Sequence, residues 1–119
     1  MNLTARAAHF LHDRRFEIAS HEVPPPGPGE VALRVAYCGI CGTDLHIYHG
    51  VMDARVANPQ IMGHEMSGVV NAIGPDVAGF QVGDRVTVMP LDPCGDCPAC
   101  AAGHSHICHN LKFLGIDTP

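Results

Sequence analysis

Four of the six cysteines fall in one short run: Cys94, Cys97, Cys100 and Cys108, spaced C-x2-C-x2-C-x7-C within Asp92–Asn110. Four thiolates form a complete tetrahedral set for Zn²⁺ and leave no position for a substrate. A lobe tied in this way needs little apolar core, so residues 92–110 are expected to be organised by a structural zinc. The competing readings are two disulfides or four free thiols. Closely spaced Cys pairs without a secretory leader favour the metal. Met1–Phe16 carries scattered charges and no apolar run of the signal-peptide kind. With reduced cysteines, that points to the cytoplasm as the expected location.

The chain has 119 residues, enough for one domain with a modest core. Its net charge is −5, with only seven Lys and Arg residues. Four thiolates around one dication would add about two more negative charges. This balance argues against nucleic acid or an anionic membrane surface as a partner. No stretch approaches the roughly 18 apolar residues of a membrane span.

Thirteen glycines and ten prolines are spread along the chain and interrupt any long amphipathic helix. The pattern predicts short strands joined by turns. Thr4–His12 and Arg15–Val23 flank Asp13-Arg14 as a hairpin, and Pro24–Gly29 is a stiff turn. Val31, Leu33 and Val35 alternate with Ala32, Arg34 and Ala36, which predicts a strand with one buried face. Cys38–Asp44 reads as a loop, with Thr43 or Asp44 capping a short helix over Leu45–Tyr48. Met66–Ile73 and Arg85–Met89 read as strands. The fold class expected is mainly β, a small, partly open barrel.

Cys41 and His64 form a second constellation. Cys41 lies between glycines, and His64 sits in Gly63-His64-Glu65 at a strand boundary, where side chains can point into a cleft. One Cys and one His are only part of a catalytic zinc site, which takes three protein ligands and keeps a fourth position open.

The motifs occur in a fixed order. Cys38-Gly-Ile-Cys-Gly-Thr-Asp-Leu-His46 is followed by Gly63-His-Glu-Met-Ser-Gly-Val-Val70, then Gly83-Asp-Arg-Val86, then the four-cysteine lobe. This series resembles the zinc-dependent alcohol dehydrogenases of the medium-chain dehydrogenase/reductase family. Its variant forms are closer to the polyol and threonine dehydrogenase branches than to the liver-type ethanol enzymes. The resemblance implies a chaperonin-10-like (GroES-like) barrel serving as catalytic domain, with a set of site roles. Cys41 and His64 would be ligands of a catalytic zinc, and Glu65 a nearby or alternative ligand. Thr43 would offer the hydroxyl that hydrogen-bonds the alcohol, and His46 the outer member of a proton relay. Asp44 would orient the His ligand, and Cys94, Cys97, Cys100 and Cys108 would hold the structural zinc. Cys38 has no ligand role in this pattern. His104, His106 and His109, like His9, His12 and His21, read as surface residues. Tyr48 and His49 either line a substrate pocket or pack.

The resemblance also implies NAD or NADP as cofactor, an alcohol or polyol as substrate, and a homo-oligomer in full-length form. No G-x-G-x-x-G follows a strand here, because Gly27-Pro28-Gly29 is too proline-bound to open a helix. In the family, the Rossmann domain and the third catalytic-zinc ligand come later in the chain. Residues 1–119 are therefore expected to be a truncated catalytic domain, inactive alone. A stand-alone zinc-binding interaction module is the alternative. The second constellation and the low basic content disfavour it. A zinc-free barrel of the co-chaperone kind is disfavoured by the cysteine lobe.

Overall fold

The computed structural model describes residues 3–118. The chain opens with the expected hairpin: β1 (Leu3–Phe10) and β2 (Phe16–Val23) pair antiparallel from Leu3↔Val23 to Phe10↔Phe16. β3 (Val31–Gly39) leads into α1 (Gly42–Tyr48), and the two-residue β4 (Gln60–Ile61) returns to pair with the end of β1. β5 (Glu65–Ile73) runs antiparallel to β3, and β6 (Arg85–Thr87) pairs with β5. Two sheets of order β2-β1-β4 and β3-β5-β6 result. A ribbon of β7 (Leu91–Asp92) and β8 (Lys112–Phe113) closes the base of the cysteine lobe. Within that lobe lie α2 (Pro98–Ala101) and a 3-10 turn, Ser105–Ile107.

The β3–β5 pairing positions the site. Its register runs from Val31↔Ile73 to Gly39↔Glu65, with irregularities after Ala32 and Val35. The end of β3 thus lies against the start of β5, and residues distant in sequence on the two adjoining loops meet. Gly68 serves this pairing, since a Cβ there would fall 2.5 Å from the Arg34 carbonyl oxygen. Gly74 lets the turn after β5 press on the 24–29 turn, where a Cβ would overlap the Gly27 carbonyl.

The main apolar cluster is small: Phe10, Ile47, Val56 and Ile116, with Met52, Met62 and Phe113 packed against it. It joins the end of β1, the buried side of α1, the turn after α1 and the segment after β8. Arg55 ties two of these parts together. Its Nε donates to Asp117 Oδ1 at 2.8 Å and its terminal nitrogen to Oδ2 at 2.7 Å. Asp117 also accepts from the Phe113 N–H at 2.8 Å.

Three local expectations are corrected. Val31, Leu33 and Val35 do not present a buried face: Val35 is 50% exposed, and Tyr37 further along is 81% exposed. Alternation creates an apolar face, but burial needs a covering layer, and no described element packs there. The helix is capped by Cys41 rather than by Thr43 or Asp44. Among the histidines, His104, His106 and His109 are exposed as expected, whereas His9 and His12 are not simply solvent-facing. His9 Nε2 is buried without a partner among the described residues. His12 Nε2 lies 3.1 Å from the Val56 carbonyl oxygen.

Candidate metal centres

In the cysteine lobe all four thiols are free of disulfides. Cys97 and Cys108 are buried, with their sulfurs 3.9 Å apart, and Cys108 and Cys94 are separated by 3.5 Å. Four sulfurs at tetrahedral zinc distance stand about 3.8 Å from one another, whereas a disulfide requires about 2.05 Å. The ligand atoms of all four residues fall within 4.8 Å of each other. The spacing explains why. Cys97 caps α2, with Pro98 at its first position, so Cys97 and Cys100 share one turn. The β7–β8 ribbon then brings the Cys108 end back to Cys94.

Backbone amides prepare the sulfurs for negative charge. The Cys94 and Asn110 N–H groups both donate to Cys108 Sγ at 3.3 Å, and the Cys108 thiol pKa is lowered, chiefly by the Cys94 N–H. N–H groups of Cys100 and His109 pull the Cys97 thiol down to about 6. Desolvation pushes Cys100 the other way, up to about 12, and the Asp96 carboxylate raises Cys94. Two thiols are thus biased toward thiolate and two toward thiol, a split that a dication resolves.

The second cluster joins Cys41, Asp44 and His64. His64 is 2% exposed. Its Nε2 faces Cys41 Sγ at 3.0 Å, and its Nδ1 faces Asp44 Oδ1 at 3.7 Å. Neither His64 Nδ1 nor Asp44 Oδ1 has a hydrogen-bond partner among the described residues, although both are buried. The other Asp44 oxygen accepts the Cys41 backbone N–H at 2.9 Å, the N3-to-cap bond of a helix start. One carboxylate therefore closes the helix and backs the imidazole. The donor set fits zinc. A tetrahedral ion would hold a thiolate sulfur and an imidazole nitrogen about 3.5 Å apart, about half an ångström wider than here.

The surroundings hold His64 in place. Phe113 meets its ring edge-on, with centroids 4.9 Å apart at 85°. Gly63 has φ +110, and a Cβ on it would lie 2.8 Å from Cys38 Sγ. Gly115 approaches so closely that its Cβ would lie 2.8 Å from the Gly63 carbonyl oxygen. Phe113 and Gly115 escaped sequence reasoning. Their only signal was a glycine two residues after an aromatic, which does not reveal a contact with a histidine some fifty residues earlier.

The other anticipated residues spread around this cluster. Thr43 is half-buried in the first turn of α1, and His46 is exposed in the last. Glu65 is exposed, with its carboxylate beside Gly39, and does not join the cluster. Next to the cluster opens an apolar cleft of about 550 Å³, bordered by Asp44, Cys38, Gly63, Leu45, Tyr48 and Phe16 among others. Tyr48 and Phe16 are stacked, with centroids 6.1 Å apart. Among the described residues, no helix is long and apolar enough to cross a membrane.

Residues 27–116 match the alcohol dehydrogenase GroES-like domain family, and the chain belongs to that family. It is 58% identical over 113 residues to the 2-dehydro-3-deoxy-L-galactonate 5-dehydrogenase of Pseudoalteromonas atlantica, covering 95% of this chain and 33% of that protein. It is 50% identical over 104 residues to the L-threonine 3-dehydrogenase of Pyrococcus horikoshii, covering 86% of this chain and 30% of that one. Among solved structures, a short chain alcohol dehydrogenase from E. coli CFT073 complexed with NADH superposes with a TM-score of 0.87 at 36% identity, covering 97% of this chain and 33% of that one. A cobalt- and zinc-bound thermostable alcohol dehydrogenase from Pyrobaculum aerophilum gives 0.87 at 35%, covering 98% and 36%. The chain thus spans about a third of the length of these proteins. The GroES-like, mainly β fold read from the sequence is the fold observed.

Proposed function

We propose that the chain is the catalytic domain of a zinc-dependent alcohol dehydrogenase that oxidises a secondary or primary alcohol with NAD or NADP. The observation that carries this reading is the buried His64, held between Cys41 Sγ on one side and the Asp44 carboxylate on the other. A buried imidazole with a thiol at one nitrogen and a carboxylate behind the other is the arrangement of a metal-ligating histidine with an orienting partner. Cys41 and His64 would hold a catalytic zinc, and Cys94, Cys97, Cys100 and Cys108 a structural one. Bound beside the cleft, a zinc ion supplies Lewis acidity that favours loss of the proton from an alcohol hydroxyl.

The chain's own residues do the rest. Asp44 Oδ1, 3.7 Å behind His64 Nδ1, favours the tautomer with its proton on Nδ1 and so leaves the Nε2 lone pair facing Cys41. Thr43, in the first turn of α1, accepts the alcohol proton on its hydroxyl oxygen while releasing its own hydroxyl proton toward His46, which hands a proton to solvent from the exposed last turn. The apolar walls of the cleft keep water from the reacting carbon. Glu65 stands ready as a further ligand only if its side chain swings in from the surface. The nicotinamide and a third protein ligand come from residues outside 1–119, with the dinucleotide on a Rossmann domain of the whole protein. Residues 92–110 form a closed lobe that braces the domain without taking part in chemistry. Residence in the cytoplasm and assembly of the whole enzyme as a homo-oligomer complete the reading.

The test is turnover by the whole protein. Secondary alcohols and polyols should reduce NAD or NADP, and His64→Ala should abolish the activity. Full activity in His64→Ala would refute the reading.

A further inference from the structure

The first hairpin carries a pair of imidazoles that the reaction centre does not use. β1 and β2 pair without a break from Leu3↔Val23 to Phe10↔Phe16, so their side chains alternate between two faces. One face is occupied: Phe10 enters the core, and Ala8, Phe16 and Ile18 line the apolar cleft. The opposite face carries Ala5, Ala7 and His9 on β1 and Glu17, Ala19 and His21 on β2. Across the ladder His9 stands opposite Glu17, and His21 opposite Ala5. The two histidines are therefore four residues out of step, about 13 Å along the strands. Their rings nevertheless meet, with centroids 5.9 Å apart at 65°. Both side chains have to lean inward over the Ala7–Ala19 pair to do so, and the two alanines leave them room.

The meeting leaves a polar atom unsatisfied. His9 Nε2 is buried and has no hydrogen-bond partner among the described residues. A ring nitrogen in that position has lost water and gained nothing in return. Both histidines are half-buried, so they are held by their neighbours yet still reached from solvent. Among the described residues of this face, Glu17 alone carries a formal charge, and it makes no ion pair. No Lys or Arg competes here, and the local field favours a cation.

The separation of the rings suits a shared ion. Two imidazoles on one ion at about 2.0–2.1 Å have centroids about 5–6 Å apart, for ligand angles of about 105–140°. His9 and His21 stand within that range, and a turn about χ2, a broad torsion in histidine, brings a nitrogen of each toward one point.

We propose that His9 and His21 form a binding site for a divalent cation of the imidazole-preferring group, zinc, nickel or copper. No third His, Cys, Asp or Glu among the described residues joins them at ligand distance. Water completes the coordination, and the site ranks below both thiolate centres in affinity. An ion held there clips β1 to β2 and steadies the two strands whose other face walls the cleft. The site lies on the far face of the hairpin from that cleft and does not depend on the dehydrogenase reading.

The ring protons of each histidine report on it separately in NMR. Ni²⁺ is titrated into the protein after its cysteine lobe has been filled with zinc. The His9 and His21 signals should broaden together, with one shared affinity, before those of the exposed His104, His106 and His109. Loss of a partner that only orients a ligand already weakens metal sites about 10- to 100-fold. His9→Gln and His21→Gln should therefore each weaken the shared site at least about tenfold. The wild-type titration decides the matter even where a variant fails to fold. Broadening of one ring without the other would overturn the proposal. So would a response of both only in step with the lobe histidines, or an affinity unchanged in His21→Gln.

Discussion

Asp44 does two jobs with one carboxylate, closing the start of α1 through the Cys41 N–H and standing behind His64. Asn can keep the first contact only by turning its carbonyl oxygen there, which leaves its amide toward Nδ1. Asp44→Asn should therefore weaken cobalt binding at the Cys41–His64 cluster about 10- to 100-fold, measured by the thiolate-to-metal absorption band. Undiminished affinity would show that Asp44 only caps the helix. Asp117 gives a prediction about pH. The Arg55 side-chain bond holds its carboxyl below the usual carboxylate value. A carboxyl with a lowered pKa in the folded state stabilises fully above its unfolded value, near 3.9, and loses that contribution as pH falls through the folded value. Arg55 is 50% exposed and solvent screens the pair, so Asp117→Asn should cost only about 1 kcal/mol. The difference from wild type in urea unfolding should hold at neutral pH, begin to shrink below about pH 4 and vanish only once pH has fallen beneath the lowered Asp117 value. The cysteine ligands were legible in the sequence because metal spacing is local and is carried by the turns between ligands. The contacts of Phe113 and Gly115 with the His64 segment are non-local and left no pattern in the sequence.

The cysteine lobe is the element most dependent on its metal. Its apolar cluster is little more than Cys97, Ala99 and Cys108, with Cys100 and Leu111 at the margin. Cys108→Ser should therefore release the zinc and unfold this lobe, seen as fast amide exchange across residues 94–110. The β3–β5 register lies outside the lobe and should remain protected. Zinc uptake should also release protons near pH 7, because Cys94 and Cys100 are raised there, so acid weakens binding. Calorimetry in buffers of different ionisation enthalpy measures that release. β3 shows where a pattern stops short. The alternation of Val31, Leu33 and Val35 foretold a strand and its pairing but not burial, which depends on a second layer. The motif order legible in the sequence matched the family, whereas the capping role of Cys41 was hidden because a thiol is an uncommon cap.

At the scale of the molecule, the core is small and the exposed apolar surface large. Phe10 is fully buried at the centre of the main cluster, so Phe10→Ala should cost about 3–5 kcal/mol and leave the isolated chain largely unfolded at room temperature. Phe16, Ile18, Val35, Tyr37 and Met89 each remain at least 45% exposed. Apolar surface of this kind favours association, and sedimentation equilibrium of the chain should show self-association that grows with concentration. A monomer throughout would show the face to be harmless as it stands.

The most direct measurement is cobalt titration of the metal-free chain, followed by visible absorption. The first equivalent should give the spectrum of a tetrathiolate site, lost in Cys108→Ser and untouched by His64→Ala. A second, weaker equivalent should give a spectrum with nitrogen and sulfur ligands, lost in His64→Ala and retained in Cys108→Ser. Absence of a second site that depends on His64 would contradict the reading of Cys41, Asp44 and His64 as a reaction centre.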